Sequence, residues 1–397
     1  MKRRTVISLE QALSLPSCTL RFVQLGWRVV RIEATPNDGL EPPGDPNRHV
    51  GGEVAGRDRR SYYLAPNVGK EVVALNLRDP EGHAVLHRLI KALDADVFCC
   101  NTLPARYARL GVDYETLSAI KPGIIWAGIS AMGPEFPDTP GYDPMVQARS
   151  GLMSLTGEAG GPPTLIGIPL VDLKAGDEAY SSILRALVER AETGLGQRID
   201  VSMFQAATSW LIAQMPLIDL GDDPWLYHRN GNAERNFVPS STYAAKDGYA
   251  FIVVGNDIQW RRFVEIPKFA PLATESRATI EGRKQDRVAL WRELGAIMKN
   301  HGVDEIVAEL KQARLVHAVI RDIRDVYAWD YIQARMTRTE LPDGTPVGMQ
   351  PKAVDVPGTG LDFPLAPVYA EHTRSVLADA GYDTAACDTL KAAGVIA

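Results

Sequence analysis

The stretch TVISLEQALSLPSCTLRFVQLGWRVVRI, residues 5–32, predicts a strand, a helix and a second strand in succession. The apolar, β-branched runs at 5–9 and 29–32 are typical of buried strands. Between them, residues 18–25 predict a helix that ends at Gly26. Two consecutive strands joined by a helix indicate a parallel sheet, because parallel strands need a long crossover connection.

The same alternation of strand and helix continues along the following part of the chain. Further strands are predicted at 72–77, 96–100, 123–130 and 198–202. Helices are predicted at 80–93 with Asp79 as the N-cap, at 176–192, and at 204–217 as a buried helix. This order of elements predicts the α/β class, with a doubly wound, Rossmann-like parallel sheet.

A different pattern begins near residue 221, where a polar loop interrupts the alternation. A hairpin with its following strand and two amphipathic helices come next, at 243–254, 285–299 and 303–313. This pattern indicates a smaller α+β domain. The predicted organisation therefore has three parts, namely 1–224 as the first part of a large α/β domain, 225–325 as the small domain, and 326–397 as a linker and C-terminal return to the large domain.

The composition argues against several classes of partner. The 397 residues carry a net charge of −6, whereas nucleic-acid-binding proteins usually have a basic excess. No run of about 18 apolar residues predicts a bilayer span, and no apolar segment follows the basic residues 2–4 as it would in a signal peptide. The four cysteines form no CxxC pair, which is typical of a reducing compartment. We therefore expect a cytoplasmic protein with neither a nucleic-acid nor a membrane partner.

Permanently bound cofactors and metals are not predicted. His83 and His87 stand four residues apart on a predicted helix, but no third metal ligand lies nearby in the sequence. The glycine-rich fingerprints of dinucleotide and P-loop sites are absent, as is the G-x-S-x-G motif of a nucleophilic serine. The chemistry must therefore come from other side chains.

The segment GIPLVDLKAG, residues 167–176, contains a candidate nucleophile, Asp172. We expect an apolar strand end to place Asp172 just ahead of a helix, whose dipole would keep the carboxylate ionised. An ionised carboxylate in a pocket at the carboxyl ends of strands can act as a nucleophile. The alternative is that Asp172 only caps the helix, and the local sequence by itself favours that alternative.

Two further segments have simple interpretations beside functional ones. Lys70 follows a glycine ahead of a predicted strand, so it offers a cation at a sheet edge, or it is a solvated lysine in a turn. Asp143 precedes Pro144, which is most simply the N-cap and first residue of a helix.

A series of short motifs, taken in order along the chain, resembles the family III CoA-transferases, the group that includes formyl-CoA:oxalate and carnitine CoA-transferases. The motifs lie at 24–33, 44–48, 67–70, 79–82, 101–111, 141–143, 150–152, 156–163, 193–202, 247–257 and 371–373. Each motif is short, but together they cover most of the chain. A benzylsuccinate CoA-transferase-like subunit is one specific form of this resemblance.

The resemblance implies both a fold and a reaction. The fold would be a large α/β domain built from both chain ends plus a small domain, in two interlocked protomers. The family's catalytic aspartate follows a Gly-Pro-Pro turn, here 161–163, which places it on Asp172. CoA would pass from a donor such as succinyl-CoA to a small carboxylic acid, here expected to be dicarboxylic, through an aspartyl anhydride and an aspartyl-CoA thioester.

The same resemblance implies the binding residues. Those expected at the CoA groove are Gln11, Ala12, Leu13, Asn101 and Arg109. Ala34 and Glu71 replace basic residues common in the family, so phosphate contacts are expected either to weaken or to move to Arg31, Arg48 or Lys70. Those expected near the acyl end are Tyr142 and Met203. The glycine-rich loop of the oxalate enzyme is not evident here, and the loop at 231–237 is expected instead to supply Arg229 or Arg235 to a second carboxylate of the acceptor.

Two other functions stay open at this point. A related enzyme type inverts the α-carbon of 2-methylacyl-CoA esters with a His and an acidic residue, but no His lies between His87 and His228. Alternatively, the departures at Leu15, Ala34 and Glu71 indicate a structural subunit whose related partner chain carries the chemistry, in a heterodimer instead of a homodimer.

Overall fold

The computed structural model describes residues 3–36, 43–56, 58–221 and 223–397. The chain divides into two compact units. Unit 1 comprises Met1–Ser150, Gly167–Trp210 and Asp330–Ala397, and unit 2 comprises Gly151–Ile166 and Leu211–Trp329. The domain boundaries expected from the sequence, after 224 and after 325, stay a prediction.

The strands of the described residues have the following bounds. They are β1 Thr5–Leu9, β2 Arg28–Glu33, β3 Glu71–Ala74, β4 Val97–Cys100, β5 Ile125–Ser130, β6 Gln197–Ser202, β7 Ser241–Ala244, β8 Tyr249–Val253, β9 Val316–Val319, β10 Met336–Glu340 and β11 Pro346–Pro351.

The α-helices of the described residues follow in chain order. They are α1 Ser14–Gln24, α2 Ser61–Asn67, α3 Pro80–Ala92, α4 Tyr114–Ile120, α5 Asp143–Arg149, α6 Leu152–Leu155, α7 Leu170–Thr193, α8 Met203–Ser209, α9 Met215–Leu220, α10 Asp257–Val264, α11 Ile280–Gln285, α12 Arg287–Met298, α13 Val303–Gln312, α14 Ile323–Ala328, α15 Asp330–Gln333, α16 Thr373–Asp379 and α17 Thr384–Ala392. None of these helices is long and apolar enough to cross a membrane.

The first six strands form one parallel sheet in the order β3-β2-β1-β4-β5-β6. This is the doubly wound order, so the predicted α/β class is confirmed. All four residues of β4 are buried, because a parallel sheet is covered on both faces. The strand order reverses between β1 and β4. In such sheets the crevice at the carboxyl ends of these two strands is the usual ligand site.

The C-terminal segment covers the edge of this sheet at β3. His372 accepts from the Val72 amide at 3.3 Å and donates its own backbone N–H to the Val72 carbonyl at 3.0 Å, while the Thr373 hydroxyl accepts from Ala74 at 3.1 Å. Further on, Ile396 forms an antiparallel bridge with Leu75. These contacts satisfy backbone groups that an uncovered edge strand would expose to other chains.

The helix after residue 166 begins earlier than the sequence predicts. Residues 176–192 are predicted as helical, whereas α7 begins at Leu170, with Pro169 as its N-cap. The described chain between β5 and α7 contains no strand. The predicted strand end ahead of Asp172 is therefore wrong.

The prediction of one buried helix at 204–217 is also wrong. The segment forms α8, a 3-10 turn at Trp210–Ala213, and α9. Ile212 is 80% exposed and Leu220 72% exposed. Ala206, Ala207 and Leu211 of the same segment are buried, so the described residues cover only part of its apolar side chains.

Unit 2 contains the antiparallel sheet β7-β8-β9. The hairpin predicted at 243–249 is confirmed as β7 and β8, and the two predicted amphipathic helices as α12 and α13. Their apolar faces enclose a core around Phe263 and Leu294. The predicted small α+β pattern therefore has its counterpart in the structure.

Candidate functional site

Asp172 lies in the first turn of α7 and is half-buried. The N-cap of this helix is Pro169, and no side chain of the N-cap closes it. Asp172 is a residue of the helix itself, so the alternative that it caps the helix is wrong. Its carboxylate is left available for another role.

The N-terminus of α7 is closed by a side chain from a different helix, that of Asp143. Its Oδ2 accepts from the backbone amides of Val171 at 2.6 Å and Asp172 at 3.1 Å. Its Oδ1 accepts from Gln147 at 2.5 Å. Asp143 is not the N-cap of its own helix, which is Tyr142, so that prediction is wrong. The reason is that α7 supplies the unpaired N–H groups that Asp143 satisfies.

Burial and the neighbouring Asp143 carboxylate raise the pKa of Asp172 to about 7. The helix dipole was expected to keep this carboxylate ionised, whereas burial and the like charge favour its protonated form. At neutral pH the carboxyl group exists in both its protonated and its ionised form.

Tyr62 is a third member of this site, and the sequence did not point to it. Burial and the charges of Asp172 and Asp143 raise the pKa of its phenol. The Tyr62 side chain therefore lies within electrostatic range of both carboxylates, while the residue remains 46% exposed. An aromatic residue at the start of α2 carries no local motif, so only the tertiary structure reveals it.

A cavity of about 510 Å³ lies at the carboxyl ends of β1, β2 and β4, where the strand order reverses. Gln11, Asn101 and Arg109, all predicted for the CoA groove, line it. Its apolar lining comes from Ile32, Leu75, Leu77 and Leu110. The structure thus brings three predicted residues together at the position that the sheet topology favours.

Two further arginines, Arg78 and Arg106, line the same cavity and were missed by the sequence analysis. Both are exposed, as is Arg109. Each follows shortly after the end of a sheet strand, β3 for Arg78 and β4 for Arg106. A search for basic residues after the carboxyl ends of strands would have found them.

Arg48 and Lys70 are placed differently from Arg109, since both side chains are fully buried. Lys70 donates to Glu10 at 2.7 Å, and burial lowers its pKa to about 8. Arg48 donates to both oxygens of Glu33, at 2.7 and 3.0 Å. The interpretation of Lys70 as a solvated lysine is wrong, and the contact of either cation with CoA stays a prediction.

The predicted residues of the acyl and acceptor region have diverse surroundings. Tyr142 is 76% exposed and Met203 is 4% exposed at the start of α8. Arg229 and Arg235 lie in unit 2 and donate to backbone carbonyls, Arg229 to Gly161 at 2.6 Å. Their roles toward a substrate stay predictions.

The predicted turn residues Ala12 and Leu13 connect β1 to α1, and Ala12 has a left-handed φ of 59°. His83 and His87 each contact a backbone carbonyl, of Leu77 at 2.8 Å and Gly111 at 3.0 Å. In the parts of the chain that the structure describes, no group of three His, Cys, Asp or Glu side chains could hold a metal ion.

A doubly wound sheet with a cavity at its switch point is typical of proteins that bind nucleotide-containing ligands. The chain belongs to the family described as CoA-transferase family III, whose model matches residues 1–373. It is therefore a CoA-transferase of the family III type, an enzyme class that uses CoA thioesters as substrates.

Proteins similar to this chain include named CoA-transferases and a solved structure. An acyl-CoA transferase of Fusarium pseudograminearum is 31% identical over 98% of this chain and 87% of the relative. A succinate–glutarate CoA-transferase of Agrobacterium fabrum is 30% identical over 94% of each chain. The crystal structure of a CAIB/BAIF family protein from Brucella suis has a TM-score of 0.81 at 30% identity, covering 95% of this chain and 98% of that one.

Proposed function

We propose that this enzyme moves CoA from an acyl-CoA donor to a small carboxylic acid, with Asp172 as the nucleophile. The observation that carries the proposal is the half-buried carboxylate of Asp172, placed beside Asp143 with a pKa of about 7. A carboxylate of higher pKa is a better nucleophile, and near pH 7 a large fraction of it is still ionised.

The reaction would proceed by carboxylate exchange. Asp172 attacks the thioester carbonyl and the C–S bond breaks. CoA thiolate is released, and a mixed anhydride between Asp172 and the donor acyl group remains on the enzyme. The thiolate attacks the aspartyl carbonyl, which frees the donor acid and forms an aspartyl-CoA thioester. The acceptor carboxylate then displaces the thiolate to form a second anhydride. Finally, the thiolate attacks the acceptor's acyl carbon and restores Asp172.

Two neighbours support this role of Asp172. Asp143 accepts from the amides of Val171 and Asp172 in α7. These amides are therefore not free to bind the Asp172 carboxylate, and its basicity is preserved. The Tyr62 phenol lies near both carboxylates and can donate a hydrogen bond to the oxyanion that forms on a carbonyl during attack.

The nucleotide end of CoA would occupy the cavity at the switch point of the sheet. Arg78, Arg106 and Arg109 supply permanent positive charge for phosphate groups. The apolar lining supplies a surface for the adenine ring, and Gln11 and Asn101 supply polar groups. A contact of Arg48 or Lys70 with CoA stays a prediction beside this proposal.

The donor is proposed to be succinyl-CoA, and the acceptor a dicarboxylic acid. The support is the names of similar proteins, which include succinyl-CoA:glutarate, D-citramalate and mesaconate CoA-transferases. A benzylsuccinate-type acid is a further candidate acceptor. Arg229 and Arg235 are the candidate contacts of a second carboxylate, and they would have to release backbone carbonyls to serve it. A cytoplasmic location, beside the donor pool, is part of the proposal.

The test is a panel of carboxylic acids incubated with succinyl-CoA or acetyl-CoA, with the CoA esters identified by mass. Asp172→Ala is expected to abolish transfer, while Asp177→Asn, on the same helix and 61% exposed at its side chain, should retain it. Transfer by Asp172→Ala at the wild-type rate would sink the nucleophile assignment. Deuteration of a 2-methylacyl-CoA in heavy water without any acceptor would favour the racemase alternative.

We also propose that two protomers form an interlocked dimer. The support is the apolar side chains near α9 that the described residues leave exposed, among them Ile212 and Leu220. Sedimentation equilibrium should give twice the 43.4 kDa of the chain. Activity of the purified chain alone would favour a homodimer, and activity only with a co-purifying related chain would favour the structural-subunit alternative.

A further inference from the structure

The turn between β1 and α1 has a strained backbone. Ala12 adopts a φ of 59°, in the left-handed region that L-residues with a Cβ avoid. Such conformations persist only where the surrounding structure holds them. The turn also borders the cavity through Gln11. Its conformation therefore depends on neighbours that fix it.

Two side chains from other parts of the chain bond to the backbone of this turn. Asn101, after β4, accepts from the Gln11 amide at 2.9 Å and donates to the Gln11 carbonyl at 2.8 Å. Asp45 accepts from the Ala12 amide at 3.2 Å through Oδ1. The strained residue is thus held by a carboxylate that lies 33 residues further along the chain.

Asp45 is itself firmly placed, since it is only 2% exposed. Its Oδ1 also accepts from the Asn47 amide at 2.9 Å, and its Oδ2 accepts from Arg31 at 2.7 Å. The same Nη2 of Arg31 donates to the carbonyl of Glu10, directly before the turn, at 3.2 Å. Arg31 is completely buried, so this ion pair is shielded from solvent.

We propose that Asp45 is a positioning residue for the CoA thioester, and that together with Arg31 it holds the Gln11–Ala12 turn in the shape that the bound ester meets. The proposal rests on the proposed function, because that function identifies the ligand of the cavity. Asp45 acts through the turn and is not part of the reacting group. Its loss therefore weakens binding of the ester more than it slows the chemistry.

The first experiment reads the turn without any substrate. Hydrogen exchange by mass spectrometry is followed in a peptide that covers residues 10–14, in the wild type, Asp45→Ala and Asp58→Ala. Asp58 is the matched control, because it also pairs with a buried arginine, Arg48 at 3.3 Å, but does not touch the turn. Exchange is expected to be about tenfold faster in Asp45→Ala only. Unchanged exchange in Asp45→Ala, or an equal increase in both variants, would overturn the proposal.

The second experiment reads binding and chemistry separately in steady-state CoA transfer. Asp45→Ala is expected to raise KM for the acyl-CoA about tenfold and to change kcat less than about threefold, with Asp58→Ala near the wild type. A tenfold loss of kcat in Asp45→Ala with an unchanged KM would overturn the positioning role. Absence of transfer in the wild type would instead refute the proposed function. The hydrogen-exchange rates would still show whether Asp45 holds the Gln11–Ala12 turn.

A third comparison separates positioning from general destabilisation. Glycine reaches the left-handed region without steric cost, so Ala12→Gly reduces the need for a holding side chain. The KM increase from Asp45→Ala should therefore be smaller in the Ala12→Gly background than in the wild type. An identical increase in both backgrounds contradicts the proposal. Should Asp45→Ala fail to fold, Asp45→Asn replaces it in all three experiments.

Discussion

The carboxylate of Asp143 accepts a hydrogen bond from the backbone amide of Asp172 at 3.1 Å, although the two residues lie on different helices. One acidic side chain therefore closes the helix that carries the other. The same closeness places two carboxylates together in a half-buried site, and it contributes to the raised pKa of Asp172. Consequences for activity and stability follow from this pair.

Activity is expected to rise with pH through neutrality. Asp172 must be ionised to attack, and burial followed by the charge of Asp143 raises its pKa to about 7. Below pH 7, kcat/KM should therefore fall by about tenfold per pH unit, and above it should level off. In Asp143→Asn the like charge is gone while burial remains, so the rise should occur at a lower pH. A pH–rate profile with the same midpoint in both enzymes would contradict the coupling of these residues.

Stability should depend on pH with the opposite sign. The folded pKa of Asp172, about 7, lies above its ordinary value of 3.8. Between these values the folded state keeps a proton that the unfolded state has lost, so rising pH removes stability, fully so above pH 7. Asp172→Asn stays neutral, and its gain in Tm over the wild type should be larger at pH 8 than at pH 5, by a few degrees. Asp177→Asn is the control. If the gain in Tm of Asp172→Asn is equal at pH 5 and pH 8, the pKa of Asp172 is not raised in the folded state.

The cavity arginines should control the affinity for CoA esters. Arg106→Ala and Arg109→Ala each remove one charge that faces the cavity, so KM for the acyl-CoA should rise about tenfold with little change in kcat. The dependence of KM on salt should also become shallower. Arg185→Ala, at an exposed ion pair on α7, serves as the control. Unchanged KM in both cavity variants would place the phosphates elsewhere.

Close packing of α1 on α7 should make Gly176 intolerant of a side chain. A Cβ there would meet the hydroxyl of Ser17 and lie 2.6 Å from the backbone oxygen of Ser14, which cannot move independently. We expect Gly176→Ala to lower the free energy of unfolding by about 1–3 kcal/mol in urea titrations. Gly167→Ala, where a Cβ meets nothing within 4 Å, should cost little. Similar losses in the two variants would show that helix packing is not the cause.

The strands of the parallel sheet were predictable because the information is local. Val97 to Cys100 is a continuous apolar run, as buried parallel strands require, and its position was predicted to within one residue. The family motifs likewise pointed to Gln11, Asn101 and Arg109, which line one cavity.

The remaining errors have non-local causes. The start of α7 was missed because its closing group, Asp143, lies 28 residues before Val171 and on another helix. Lys70 was taken for a solvated residue because its partner, Glu10, is 60 residues away. The helix at 204–217 was expected to be buried because its composition is apolar. Composition alone does not specify which apolar side chains the fold leaves exposed. Such long-range hydrogen bonds, ion pairs and burial depend on the tertiary structure and cannot be predicted from local sequence.

The cover of strand β3 has a consequence for how the protein is made. His372, Thr373 and Ile396 reach the ribosome exit about 300 residues after β3 has been synthesised, at roughly 5–20 residues per second. Any sheet that forms before then would have an open edge at β3, which could pair with a neighbouring chain. Unit 1 includes Asp330–Ala397, so it can complete its folding only once these residues have been translated. A chaperone that shields the edge during that interval would protect the chain from aggregation.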